Sequence, residues 1–278
     1  MLFLSACTPS NSAPPKPAGP LTAAEALGDL ATVDFCSLLG TAGTNGSFGS
    51  CQVTADGTTT TVGSPAKDTE PTAKPYDYRG QLPAGVTVEQ SSFDAKQSCT
   101  RYVVFADHVR LMVSAFDSGE GDAKPNCGKA DAAVGAVLTA ATGKRVTHVA
   151  YPENSLGRID PCELLSGDAA DTALGKGSTP SAFTVDKHSC LRSGVKVSFD
   201  RGKPETTGTK VTVAGKPATE SRIAAFCFLR VERPAPGAEG KVESAAFEAV
   251  DTATGVADDR TCAEARKVAE FVLPKLPS

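Results

Sequence analysis

The chain carries one short pattern twice, as DFCSLLG at residues 34–40 and as DPCELLS at residues 160–166. In both copies an Asp stands two positions before a cysteine, and a Leu-Leu pair follows before a residue that ends a helix. Further cysteines follow each copy: Cys51, Cys99 and Cys127 after the first, and Cys190, Cys227 and Cys262 after the second. The pattern therefore divides the chain into two related halves with four cysteines each.

The composition predicts globular domains with modest cores. The 278 residues include 12 Phe, 4 Tyr, 2 Met and no Trp, so two domains of roughly 120 residues would bury few large apolar side chains. Small domains of this kind are commonly stabilised by disulfides, which form in an oxidising compartment. The eight cysteines therefore predict export. The alternative is a cytosolic protein with free or metal-binding thiols, but the chain has no C-x-x-C pair of the kind that zinc sites use.

Charge and hydropathy exclude two classes of partner. The net charge is −4 and no run is rich in Lys or Arg, so nothing indicates a nucleic-acid surface. No apolar run reaches the ~18–20 residues that a membrane-spanning helix needs.

The N-terminus predicts a lipid anchor. Residues 4–7 read Leu-Ser-Ala-Cys and resemble a bacterial lipobox, in which the thiol of Cys7 receives a diacylglyceryl group; the alternative is a chance match. Residues 8–20 are rich in Pro, Ser and Ala without an apolar period, which is typical of a disordered tether. We therefore expect a protein held by lipid on Cys7 at the outer face of the cytoplasmic membrane.

Apolar periodicity predicts a similar order of elements in each half. In the first half, a helix capped by Thr22 precedes the Asp34 head, and residues 41–50 form a loop. Hairpins follow, turning at residues 56–57 and 107–108, with an irregular segment at 64–85 and a final helix opened by Cys127. In the second half the predicted elements are a head at 160–166, a helix at 168–174, strands at 183–185, 190–199, 211–213, 222–232 and 241–250, a turn at 215–217, and a final helix opened by Cys262.

Strands bounded by helices predict an α+β fold with two tandem homologous domains, each an antiparallel sheet with helices packed on one face and stapled by disulfides. The predicted segments are a lipobox at 1–7, a tether and first helix at 8–30, a first domain at 31–143, a linker at 144–159 and a second domain at 160–278.

Four cysteines per half allow three pairings in each. We favour sequential pairing, because short loops close first and each bond then stays within one half. The favoured bonds are Cys36–Cys51, Cys99–Cys127, Cys162–Cys190 and Cys227–Cys262. Each would contribute about 3 kcal/mol by loop closure, and a reactive role for these thiols is disfavoured because each has a partner.

At these residues the sequence resembles a family of secreted actinobacterial lipoproteins of unknown function, headed by D-P-C-x-L-L after a lipobox and tether. The second half carries the nearest match, in residues 160–165, 213–218 (VAGKPA), Cys227 and 262–265 (CAEA); the first half departs from it with Phe35 in place of Pro. The sequence is also similar to the extracellular sensor domain of mycobacterial Ser/Thr kinases. The resemblance covers residues 31–276 and implies a disulfide-stapled sensor fold without catalytic residues.

No stretch predicts catalysis, a metal or a cofactor. The histidines His108, His148 and His188 lack a nucleophile motif beside them, and we expect all three at the surface. Residues 175–179 (GKGST) fail the spacing of a phosphate loop, and the acidic residues 117–122 lack the ligand spacing of a calcium loop.

The sequence leaves several functions open. One is a non-enzymatic protein that binds or senses an envelope ligand, and a concave apolar pocket between the domains would favour it, whereas a flat polar junction would count against it. The alternative is a scaffold that engages an envelope protein through a sheet edge or apolar patch. A hydrolase is the least favoured.

Overall fold

The computed structural model describes residues 19–40, 47–67, 73–92, 98–117, 123–176 and 179–277. Each half of the chain forms one antiparallel sheet with helices against it, so the fold is α+β with two domains, as expected.

The first domain has a six-stranded sheet in the order β1-β2-β6-β5-β4-β3. A 3-10 helix at Phe35–Leu39 follows the first helix, with Asp34 as its N-cap and Gly40 as its C-cap. The other elements are α1 Ala23–Leu27, β1 Ser50–Ala55, β2 Thr58–Lys67, β3 Lys74–Pro75, β4 Thr87–Gln90, β5 Ser98–Val104, β6 Val109–Asp117 and α2 Ala123–Thr142.

The second domain has a seven-stranded sheet in the order β10-β11-β12-β13-β9-β8-β7. Its 3-10 helices are Leu156–Arg158 and Leu273–Lys275. The other elements are α3 Pro161–Leu164, α4 Asp168–Leu174, β7 Ser181–Ala182, β8 Ser189–Arg192, β9 Val195–Gly202, β10 Thr209–Val213, β11 Lys216–Ile223, β12 Phe226–Pro234, β13 Val242–Val250 and α5 Asp259–Val272.

The two sheets share one topology. When β8 is placed on β1, the order β8-β9-β13-β12-β11-β10 matches β1-β2-β6-β5-β4-β3, and the short β7 is an addition at the edge. Helices α2 and α5 both follow the last strand of their domain and pack on its two central strands. The repeated sequence pattern therefore corresponds to a repeated fold.

All four disulfides have the favoured pairing. Cys36–Cys51 and Cys162–Cys190 join each head to the second residue of β1 and β8. Cys99–Cys127 and Cys227–Cys262 join the second residue of β5 and β12 to α2 and α5. Each bond thus fastens a helix to the sheet at an equivalent position in the two domains.

In both domains an ion pair joins the same position of the last helix to the sheet, with opposite charge on the helix and with partners on non-equivalent strands. In the first domain Arg101 of β5 reaches Asp131 of α2 at 3.0 Å, four residues after the helix cysteine. In the second domain that helix position is Arg266, which reaches Glu220 of β11 at 2.5 Å. In each pair the strand residue is buried. The cation is on the strand in the first domain and on the helix in the second, and both pairs attach the helix to the sheet.

Several strand predictions in the second half are wrong at their turns. Residues 190–199 are not one strand, because the chain reverses at Ser193-Gly194, where both residues have positive φ, as a tight hairpin turn requires. Residues 222–232 likewise contain a turn at Ala224-Ala225, and alanine gives no signal for the positive φ of 50° that Ala224 adopts. The turn predicted at 215–217 lies at Ala214-Gly215 instead, so Lys216 opens β11. Residues 183–185 are not a strand; β7 ends at Ala182.

The helix starts and the domain limits also differ from the prediction. α2 and α5 begin four and three residues before their cysteines, because the polar first turn lies outside the apolar period. In α5 that turn is closed by a capping box between Asp258 and Thr261.

α1 is buried in the first core, so the first domain includes residues before 31. Within the linker, the backbone of Thr147 accepts from Asp34, whereas Leu156 belongs to the second core.

Candidate functional site

Residues 47–50 of the first domain reach into the second domain. Phe48 is fully buried and belongs to the second hydrophobic core, with Leu156, Phe199 and Phe247. Its backbone N–H donates to Asp200 Oδ1 at 3.3 Å. Gly157 permits the close approach, since a Cβ there would stand 3.0 Å from Phe48 Cε1. The first domain thus supplies one core side chain of the second.

The second domain in turn contributes a side chain to the first core. The Val185 side chain packs against the first core, and its N–H donates to the Pro65 carbonyl at 2.8 Å. Beside it, a Cβ on Gly49 would lie 2.6 Å from Asp186 Oδ2, so the glycine leaves room for the carboxyl group of Asp186. The junction is therefore a reciprocal insertion of two short segments.

Aromatic rings form the centre of this junction. Phe48 lies edge-to-face with Tyr151 at 5.1 Å between centroids, and 5.3 Å from the His188 ring. Burial raises the pKa of Tyr151 to about 12 despite the opposing charge of Arg201. The Arg201 guanidinium lies over both carbon rings, 5.7 Å from Phe48 and 6.0 Å from Tyr151. We call Phe48, Tyr151, His188 and Arg201 the junction cluster.

His188 is buried, which corrects the expectation that all three histidines lie at the surface. His108 is exposed in its hairpin turn, and His148 is exposed in the linker, 2.9 Å from Thr32 Oγ1. His188 Nε2 instead lies 3.0 Å from the Ala31 carbonyl of the first domain, so the proton is on Nε2. Its Nδ1 is buried without a partner among the described residues.

Two carboxyl groups surround this histidine. Asp186 accepts from the His188 backbone N–H at 3.1 Å. Asp200 accepts from the backbone N–H groups of Phe48 and Arg201, and its burial raises the pKa of its carboxyl. These acids bind backbone N–H groups of the junction, each through its Oδ1 atom.

Cavities lie on either side of the junction cluster. A cavity of about 370 Å³ on one side is lined by Ala31 and Thr32 of the first domain together with Ile159, Asp160 and His188 of the second half. A cavity of about 790 Å³ on the other side, which we call the basic cavity, is lined by Ser47, Ser50, Gln52, Asp200, Arg201, Gly202, Lys203, Glu239, Gly240 and Lys241. Both walls mix polar and apolar groups, so the junction is concave but is not the apolar pocket that the sequence analysis would favour.

The basic cavity has the size of a small-molecule site and needs both domains to form it. Ligand pockets commonly occupy about 300–1,000 Å³ and favour domain boundaries. Sequence reasoning missed this site because residues 47–50 read as a Gly/Ser loop. The only available signal was the large apolar residue Phe48 inside that polar stretch.

One group of potential metal ligands occurs in the described part of the chain, formed by Glu220, Cys227 and Cys262. The two sulfurs are joined as a disulfide and cannot act as thiolate ligands. Parts of four predicted segments lie outside the described residues. They are residues 118–122 of the acidic loop, residues 177–178 of the GKGST stretch, residues 41–46 of the predicted loop, and Cys7 with residues 8–18 of the tether.

No protein-family model matches the chain, and no curated protein or solved structure matches it. Among the described residues, no helix is long and apolar enough to cross a membrane.

His188 should make the stability of the fold depend on pH. Burial is the main cause that lowers its pKa from 6.5, against the opposing charge of Asp186. Below about pH 6.5 the unfolded chain therefore binds a proton that the folded chain does not, and the free energy of unfolding falls as pH decreases. His188→Gln keeps a donor toward Ala31 but cannot titrate, so its stability should decline less than wild type between about pH 7 and pH 5. Urea denaturation at several pH values measures this, and parallel curves for the two proteins would contradict it.

Proposed function

We propose that this protein is an extracytoplasmic, lipid-anchored, non-enzymatic binding protein that holds a small envelope ligand in the basic cavity between its domains. The observation that supports it best is the reciprocal insertion at Phe48 and Val185, because it fixes the two walls of a concave space that neither domain forms alone. A preorganised cavity binds with a smaller entropic cost than one that must close around its ligand.

The location outside the cytoplasm is supported by the disulfides. Four bonds in equivalent positions of two small domains are typical of an oxidising compartment. The anchor at Cys7 rests on the Leu-Ser-Ala-Cys sequence.

Filling the basic cavity should abolish ligand binding. Gly202 is exposed at its wall, and a Cβ there meets no atom within 4 Å, so Gly202→Trp should occupy the space without straining the fold. Native mass spectrometry after incubation with envelope extract should show an added mass on wild type that is lost from Gly202→Trp. Gly128→Trp, at an equally open exposed position on α2, should keep it.

The same spectra contain their own control and a contradicting outcome. The bare mass should be eight hydrogens below that of the fully reduced chain, since four disulfides form. A wild-type chain that stays bare in every extract would overturn the proposed function.

A scaffold role is a second candidate, supported by an apolar patch at one end of the second sheet. Ile223 and Val256 are 63% and 65% exposed, and Phe226 and Val250, which face each other across β12 and β13, are 37% and 40% exposed. Clustered exposed apolar side chains commonly mark protein interfaces. This role requires a reproducible partner from cross-linked envelopes, and recovery of none would count against it.

A further inference from the structure

The charges on the wall of the basic cavity indicate which ligand it accepts. Arg201, Lys203 and Lys241 line it, and none of them forms an ion pair with another residue that the structure describes. Of the two acids on the wall, Asp200 is already bound by backbone N–H groups, and Glu239 is exposed. Three cations against two acids leave the wall with a net positive charge, part of which the two carboxyl groups offset.

Arg201 is the most constrained of the three. Its Nε is buried and has no acceptor among the described residues. Glu243 stands opposite Arg201 in the register of β13 and β9, but its oxygens accept from Ser155 Oγ, the Leu156 N–H and Arg233 Nη2. The guanidinium is held by the rings of the junction cluster rather than by a carboxylate, which leaves its N–H donors for an anion.

The pKa of Lys241 reflects both its burial and the positive charge beside it. Its pKa is lowered by burial and further by the charge of Arg201. A neighbouring anion would oppose this lowering of the pKa, because an opposite charge favours the protonated amine.

We propose that the basic cavity binds a phosphate group, with Arg201 as the planar donor and Lys203 and Lys241 as the flanking cations. This inference rests on the proposed function, since it names the ligand class of the same cavity. Phosphate fits better than a single carboxylate because its several oxygens and higher charge can engage three cations together. The group is part of either a soluble phosphate compound or a lipid headgroup.

Calorimetric titration of the full chain with inorganic pyrophosphate tests the soluble source, and flotation with phosphatidylglycerol vesicles against phosphatidylcholine vesicles tests the lipid source. Either probe should bind, and binding should weaken as salt increases. Lys241→Gln, Lys203→Gln and Arg201→Gln should each reduce affinity about tenfold, the usual scale for one charge-assisted hydrogen bond. Lys267→Gln is the matched control, because Lys267 is exposed on α5 away from the cavity.

The outcomes separate this inference from the function on which it rests. Failure of both probes, or equal losses in Lys203→Gln and Lys267→Gln, overturns the phosphate inference. If an extract ligand is still lost specifically in Gly202→Trp, the binding function stands while the phosphate inference falls. Lys203 is exposed, so its variant remains informative even if Arg201→Gln fails to fold.

Discussion

Phe48→Ala should lower the free energy of unfolding of the second domain by about 3–5 kcal/mol, the usual cost of removing a buried Phe from a core. Phe48 is 0% exposed and contacts a core to which its own domain contributes no other buried residue. The vacated space lies beside Gly157 and the Tyr151 ring. The first domain should lose much less, because Phe48 is not part of its core.

The two domains should therefore unfold separately in this variant. In the wild type, the reciprocal contacts at Phe48 and Val185 couple the domains, and a cooperative transition is expected. Urea denaturation of Phe48→Ala should show an early transition of the second domain and a later one of the first. Phe116→Ala is the control, because Phe116 is 49% exposed and its loss should cost about 1 kcal/mol or less. If the two variants unfold alike, Phe48 does not have the coupling role given to it here.

Loss of Phe48 should also act on the basic cavity. The Phe48 ring lies 5.7 Å from the Arg201 guanidinium, a contact that alanine cannot make, and Arg201 lines the cavity. The variant should consequently lose the extract ligand even under conditions in which it remains folded, whereas Phe116→Ala should retain it.

The sequence predicts best what is decided locally or by repetition. In both heads the Asp before the cysteine, Asp34 or Asp160, is the N-cap of the helix that follows, because an Asp side chain readily accepts backbone N–H groups at a helix start. The favoured disulfide pairing is found in both halves, because it closes short loops and keeps each bond within one copy of the fold.

What the sequence does not predict depends on contacts between residues that are not neighbours in the sequence. His188 is buried beside the Phe48 ring and hydrogen-bonded to the Ala31 carbonyl of the first domain, and no local pattern indicates these contacts. The turn at Ala224-Ala225 is also hidden, because tertiary pairing between β11 and β12 imposes it on residues without turn preference. The cavity lies where such non-local contacts meet, which is why the candidate site was not foreseen.

Removing the Cys227–Cys262 bond should lower the free energy of unfolding by about 4 kcal/mol through loop closure. Removing Cys36–Cys51 should lower it by about 3 kcal/mol. The difference follows from chain length, because the sequence separations are 35 and 15 residues. All four cysteines are buried, so paired Cys→Ala substitutions remove one bond and two buried sulfurs in each variant.

The position of this bond strengthens the expectation. Cys227 and Cys262 form a small separate core with Ala257, apart from the main core of their domain. Without the bond, only a few small side chains remain to hold the start of α5 on β12, while the ion pair of Arg266 with Glu220 is partly exposed to solvent and contributes little. Hydrogen exchange should therefore show the first turns of α5 opening in Cys227→Ala/Cys262→Ala. Urea denaturation of both double variants gives the order of the two costs, and an equal or reversed order would show that native packing, and not loop closure, determines what each bond contributes.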